Sequence, residues 1–272
     1  MKISIITINY NNRDGLEHTI QSVLSQTVSD YEYIVIDGAS TDGSADIIKR
    51  YAGRIDKWVS EPDTGIYNAM NKGIARAEGD YCLFLNSGDT FADAHILERV
   101  LPLLGEKDFY SGGIRFLYKK PEIKMPPERV TAYYMFYRAL FHQATFIRTS
   151  LLKNHPYTET YRIVSDWEQM LRELIFNGRS YQKLPFVMGN FDVSGISSQK
   201  ENSALLEQEM DSVRRKYFPP GIYDEYKNSS PFIGKILYAY HFKKPLSGDF
   251  KMLRNIIKKL FHDLFSKEMF RI

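Results

Sequence analysis

Within its first ninety residues the chain repeatedly runs an apolar, strand-forming segment straight into a polar turn. Ile3, Ser4, Ile5, Ile6, Thr7 and Ile8 form a β-branched run that breaks into Asn9, Tyr10, Asn11, Asn12, Arg13 and Asp14. Leu16, Ile20, Val23 and Leu24 follow at helical spacing, which predicts a strand, a loop and a helix. Tyr33 to Ile36 repeat the strand, Asp37 to Gly43 the loop, and Ser44 opens the next helix. A third strand around Trp58 and Val59 meets Glu61-Pro62-Asp63-Thr64-Gly65 and a helix over 66–77. The fourth, Tyr81 to Leu85, ends in Asn86-Ser87-Gly88-Asp89. Strands alternating with helices predict an α/β fold with a mixed, mostly parallel sheet flanked by helices. In such sheets ligands bind at the carboxyl ends of the strands, where these polar turns fall.

The bulk composition narrows the function classes. At 272 residues and 43% hydrophobic content, the chain suits one large domain or two small ones with a sizeable core. Its one cysteine, Cys82, lies in an apolar strand, so no disulfide framework exists and a reducing compartment fits. The first apolar run is cut short at Asn9, so no signal peptide is expected, and no stretch approaches the length needed to span a bilayer. The net charge of +3 is unevenly placed. From Ile233 onward nine lysines and arginines face three acidic residues, leaving about +6 in the tail and about −3 elsewhere. Phe250, Leu253, Ile256, Ile257, Leu260, Phe261, Leu264 and Phe265 recur there at three- and four-residue spacing. A basic amphipathic helix suits an anionic membrane surface; the alternatives are packing on the catalytic domain or on a second subunit in a homodimer. No nucleic acid partner is expected, because no recognisable RNA- or DNA-binding motif accompanies the basic residues.

The strings I-I-T-I-N-Y-N, V-I-D-G-A-S-T-D-G-S, D-T-G-I-Y-N-A-M-N-K-G and G-D-Y-C-L-F-L-N-S-G-D together resemble glycosyltransferase family 2. The resemblance is dense over roughly the first hundred residues and sparser to about residue 200. It implies a GT-A (Rossmann-like) fold and an inverting transfer from a nucleotide-diphosphate sugar, here to a saccharide or lipid-linked acceptor in bacterial surface polysaccharide synthesis. The domain would span 1–215, with a nucleotide-sugar-binding half (1–100) and an acceptor half (101–215). A basic helical extension would occupy 216–272. Such an enzyme would be cytoplasmic, resting peripherally on the inner face of the cell membrane.

The resemblance also distributes roles. Thr7, Asn9 and Tyr10 would frame the nucleotide, and Asp37 would accept a hydrogen bond from the base, favouring UDP. Asp63 and Gly65 precede a helix whose amino end favours anions, and Asn71 would border the donor. The family commonly carries two or three aspartates where this chain has Asn86-Ser87-Gly88-Asp89. Asp89 is thus left to hold Mg²⁺ or Mn²⁺ with phosphate oxygens and water, with Asn86 touching ribose or a metal-bound water. Asp166, in Ser165-Asp166-Trp167, takes the position of the family's general base, with Glu168 in reserve. Helix capping is the competing role for Asp166. Phe141 to Phe146 reads as a site strand on which His142 and Gln143 face acceptor or donor sugar, a core histidine or a replacement metal ligand being the alternatives for His142. Trp167 and Ser197 belong to the acceptor side and a closing loop. Lys119 to Arg129, charged and proline-rich, reads as an exposed loop. Two rivals stand beside this reading. A nucleotidyltransferase needs a glycine-rich basic loop after the first strand, which N-Y-N-N-R-D-G is not. A scaffolding homologue would retain nucleotide binding without turnover.

Overall fold

The structure, a computed structural model, describes residues 3–193 and 200–228. It has the expected mixed sheet, nine-stranded among the described residues. The strands are β1 (Ile3–Asn9), β2 (Tyr31–Asp37), β3 (Lys57–Ser60), β4 (Tyr81–Phe84), β5 (Thr90–Phe91), β6 (Phe109–Phe116), β7 (Glu122–Lys124), β8 (Thr145–Arg148) and β9 (Tyr181–Phe191). The helices are α1 (Arg13–Leu24), α2 (Ser44–Tyr51), α3 (Ile66–Arg76), α4 (Ile96–Val100), α5 (Ala132–Tyr137), α6 (Thr149–Asn154), α7 (Ser165–Leu171), α8 (Ser203–Tyr217) and α9 (Pro220–Asn228). The order across the sheet is β3-β2-β1-β4-β8-β6-β9-β5, with β7 paired to β6.

Strand directions decide where the chemistry collects. β1, β2, β3 and β4 are mutually parallel, β8 runs against β4, and β6 runs against β8. β6 therefore runs with β1, and β9 runs with β6. The carboxyl ends of all these strands share one edge with the amino end of β8. Asn9, Asp37, Ser60, the turn after β4, Phe116 and Phe191 lie along it.

Every residue of β1 is buried, as a central strand covered on both faces requires. Leu16, Ile20 and Val23 of α1 pack with Ile3, Ile5, Tyr33 and Val35. On the other face α3 approaches at Gly73, where a Cβ would stand 2.5 Å from the Ile6 side chain. Only glycine allows that contact without displacing the strand.

The opposite edge is closed by one carboxylate. Glu32, on β2, accepts hydrogen bonds from the Ser4 hydroxyl (2.5 Å), the Glu78 and Gly79 amides, and the Lys57 ammonium (3.0 Å). It ties β1, β2, β3 and the entry to β4 together. Burial alone would raise its pKa, but these donors outweigh burial and hold it below the ordinary value of 4.5.

Three expectations need correction. The compact unit continues to Asn228 rather than ending near residue 215, because α8 and α9 pack onto it. Phe136 and Phe218 meet edge to face, and Arg214 donates to the Phe136 carbonyl. The second unit, Ser229–Ile272, holds the basic amphipathic segment and lies outside the described residues. Lys119 to Arg129 is not wholly loop: β7 pairs with β6 to make a hairpin, and Pro126 and Pro127 are buried. Phe141 to Phe146 is not wholly strand: His142–Ala144 form one 3₁₀ turn before β8 starts at Thr145.

Replacing Glu32 with alanine removes the acceptor shared by the Glu78 and Gly79 amides and one partner of the half-buried Lys57 ammonium, at a cost of about 2 kcal/mol near neutral pH. A depressed carboxyl contributes stability that is full above its unfolded value and lost as the pH falls through the folded one. Denaturant titrations of wild type and Glu32→Ala should therefore differ most at pH 7 and converge in acid below the ordinary value of 4.5.

Candidate active site

The turn after β4 is held from beneath by α1. Thr19 donates its hydroxyl to the Asp89 carbonyl (2.8 Å) and accepts from the Gly88 amide (3.0 Å). Asn12 caps α1 through the Gly15 amide and donates to the Ser87 carbonyl (3.0 Å). Gly88 sits at φ +103°, and a Cβ there would meet the Asp192 carboxylate at 2.8 Å. The turn thus lies directly against the end of β9. The Asp192 amide donates to Asp89 Oδ1 (3.0 Å), and the Gln143 side chain also bonds that carboxylate. Burial drives the Asp89 pKa up to about 7, and the nearby Asp192 charge adds to the rise.

A chain of polar contacts crosses from this turn to α7. Asp166, in the first turn of α7, accepts from the Tyr67 hydroxyl of α3 at Oδ1 (2.8 Å) and pairs with His142 Nδ1 at Oδ2 (2.8 Å). His142 Nε2 lies 3.2 Å from the Asn86 side-chain amide. Burial opposes both charges, yet the pair overcomes it. The hydrogen bond and charge of Asp166 raise the imidazole pKa, and those of His142, with Tyr67, hold the carboxyl below its usual range. The Asn86 NH₂ stands against Nε2, and the buried atom of that amide without a partner is its side-chain oxygen. Asp166 does not cap its helix: Val164 is the N-cap and makes no side-chain cap bond.

On the other flank, Asp37 is fully buried and already saturated. Its carboxylate accepts from Asn9 (2.7 Å), the Ser40 amide (3.0 Å) and hydroxyl (2.6 Å), and the Ser60 hydroxyl (2.6 Å). These four donors fill the lone-pair directions of a carboxylate. Asp37 therefore organises the loop and holds Ala39 in the left-handed region at φ +57°, rather than presenting a free acceptor to a base. Beside that loop stand the Tyr10 ring of the turn after β1, 68% exposed, and the Asp63 carboxylate of the turn after β3. Both crowd Gly38, where a Cβ would lie 3.1 Å from Tyr10 and 2.5 Å from Asp63 Oδ2. The other Asp63 oxygen accepts from the Gly65 amide (2.9 Å), and Gly65 opens α3 at φ +133°.

Several candidates have other work. Thr7 is buried, bonded to the Leu85 carbonyl (2.7 Å) and Tyr33. The Asn71 amide brackets Tyr157 through both backbone groups and reaches Glu159. Trp167 is buried beneath α5, donating to the Met135 carbonyl (2.8 Å). Glu168, the reserve base, is fully buried and bonded to Lys216 and Tyr217 of α8. Ser197 lies outside the described residues. Conversely, Tyr67 and Glu209 of α8 carry roles that no motif announces. Glu209 receives the Arg162 (2.8 Å) and Ile163 (2.9 Å) amides just ahead of Asp166. No sequence spacing signals either partnership. Asp192 was read only as part of a closing loop.

The family model "Glycosyl transferase family 2" matches residues 4–174. An uncharacterized glycosyltransferase of Mycobacterium tuberculosis is 32% identical over 224 residues, covering 79% of this chain and 85% of its own. A PGL/p-HBAD biosynthesis glycosyltransferase of Mycobacterium bovis is 31% identical over 176 residues, 62% and 68% of the two chains. Among solved structures, Staphylococcus aureus TarS 1-349 in complex with UDP superposes with a TM-score of 0.64 at 19% identity, over 93% of this chain and 75% of that one. The chain spans 42% of a longer TarS structure. With the sheet order and the motif-bearing edge described above, these matches place the chain in glycosyl transferase family 2, as a glycosyltransferase of GT-A fold.

Proposed function

We propose that the protein transfers a sugar, with inversion, from a uridine diphosphate sugar to a hydroxyl of a saccharide or lipid-linked acceptor in bacterial polysaccharide synthesis. The observation that carries this reading is the buried Asp166 carboxylate, oriented by Tyr67 and His142 at the edge where the nucleotide-side loops end. Asp166 takes the acceptor proton as the new glycosidic bond forms and the bond from the anomeric carbon to the diphosphate breaks. Tyr67 and His142 fix the direction of its lone pairs. The buried Asn86 side-chain oxygen is an acceptor for a ligand hydroxyl in the turn. The TarS complex with UDP supports the donor class, and the PGL/p-HBAD biosynthesis glycosyltransferase supports a biosynthetic role.

Tyr10 and Asp63 are the groups placed to meet the base, with Asp37 holding the Gly38 loop between them. Asp89 and the adjacent Asp192 fit a divalent cation in part. A carboxylate that burial and a like charge push toward protonation is returned to its ionised form by a cation. The described residues contain no group of three or more acidic, histidine or cysteine ligands, so phosphate oxygens and water would complete the shell. Mg²⁺ or Mn²⁺ held there would neutralise the leaving diphosphate. The same sparse ligand set favours a second reading, a nucleotide-binding homologue without turnover.

Calorimetric titration with UDP and GDP, with and without Mn²⁺, tests the donor site. UDP should bind more tightly with Mn²⁺, and Asp89→Ala should remove that gain, about tenfold. Asp63→Ala should weaken UDP about tenfold without changing Tm, whereas Asp37→Ala should lower Tm by leaving four donors unpaired. UDP binding without any turnover of UDP-sugars would establish the second reading.

The base is tested by kinetics. Asp166→Asn should reduce kcat by about 10² to 10⁴ while UDP affinity stays within about threefold. His142→Ala removes the hydrogen-bond donor and charge that hold the Asp166 carboxyl low. The acid limb of the kcat profile should therefore move to higher pH.

A further inference from the structure

We infer that the β6–β7 hairpin is a membrane-contacting element that seats the site-bearing edge of the sheet against an anionic lipid surface. The two strands are joined by Leu117, Tyr118, Lys119, Lys120 and Pro121. Three large apolar side chains are left in water on this small element: Leu117 (47% exposed), Tyr118 (47%) and Ile123 (52%). Lys119 and Lys120 are exposed between them and form no ion pair with the described residues. The base of the hairpin is rigid. Tyr118 stacks on Phe116 with centroids 5.6 Å apart, and Lys124 Nζ lies 4.4 Å from the same ring.

Its position gives the patch a use. The Leu117 amide donates to the Phe191 carbonyl (3.1 Å), and the next residue, Asp192, donates to Asp89. The hairpin thus leaves the sheet at the rim of the active site, beyond the carboxyl edge.

The occupant is a lipid surface rather than a protein. Three side chains on so short a turn cannot cover the roughly 800 Å² per partner that a stable protein interface takes. A bilayer interface asks only for apolar side chains at the acyl boundary, an aromatic ring at headgroup level, and cations beside anionic headgroups. Leu117, Ile123, Tyr118, Lys119 and Lys120 provide each of these. Hydrophobic contact and charge attraction then act on the same few residues, and contact should depend on lipid charge.

This inference rests on the proposed transferase reading only in giving the contact a purpose, delivery of a lipid-linked acceptor hydroxyl to Asp166. Its test uses no turnover, so either idea can fail without the other.

The full chain carrying Tyr118→Cys is labelled with an environment-sensitive fluorophore, the native Cys82 being buried. It is mixed with vesicles of phosphatidylglycerol and phosphatidylcholine in equal parts, or of phosphatidylcholine alone. The emission should shift to the blue only with the anionic vesicles. The same label at Ser29→Cys, in the loop between α1 and β2 at the opposite edge, should stay water-like. Adding Lys119→Gln and Lys120→Gln to the Tyr118→Cys chain should raise the lipid concentration needed for the shift about tenfold. A label at residue 118 that stays water-like overturns the inference, whether the protein floats with the vesicles through another segment or fails to float. A shift that appears without vesicles as protein concentration rises also overturns it, because a second copy then covers the hairpin.

Discussion

Strand β8 pairs antiparallel with β4 on one side and β6 on the other, so the residues leading into it arrive at the edge where β1, β2 and β4 end. His142 and Gln143 are those residues. Had β8 run with its neighbours, they would stand at the far edge beside Glu32, and Asp166 would lack its partner. The pairing is short, with Tyr81 opposite Arg148 and Cys82 opposite Ile147. The Thr149 amide extends it with a bond to the Asp80 carbonyl (2.9 Å). This reversal joins the parallel strands β1 to β4 to the later strands within one continuous sheet.

Much of the fold was legible in the sequence, for a reason specific to its first half. Each of the early parallel strands is a run of β-branched or aromatic residues, and each ends in residues that cannot continue a strand. Local chemistry thus marks both the element and its site-bearing end. The second half is less legible because its elements depend on distant partners. The turn at His142 looks like the start of a strand until β6 and β4 fix where pairing can begin. Lys119 to Arg129 looks like loop until Glu122, Ile123 and Lys124 are seen opposite Phe116, Arg115 and Ile114.

The site shows the same division. Position along the chain singles out Asp166, Asn86, Asp89 and His142, which the fold brings to one edge, but does not show what each side chain touches. Thr7 carries a polar group at a strand end, yet it points into the layer filled by Tyr33 and Leu85. Asn71 shares a helix with Tyr67, and which of the two reaches Asp166 depends on the 157–159 segment crossing that helix. Glu209 acts on a loop that the chain left more than forty residues earlier. These are long-range hydrogen bonds, and no periodicity records them.

The saturation of Asp37 bears on how quickly a nucleotide can be captured. Its four hydrogen bonds, together with the Asn11 side-chain oxygen that accepts from the Thr41 amide (2.8 Å), fix the loop after β2. Ordering that loop costs conformational entropy, and folding has already supplied it. Under the proposed function a nucleotide would meet a preformed wall of Tyr10, Gly38 and Asp63 and need no loop rearrangement on this side. Its association would then be governed by diffusion and orientation.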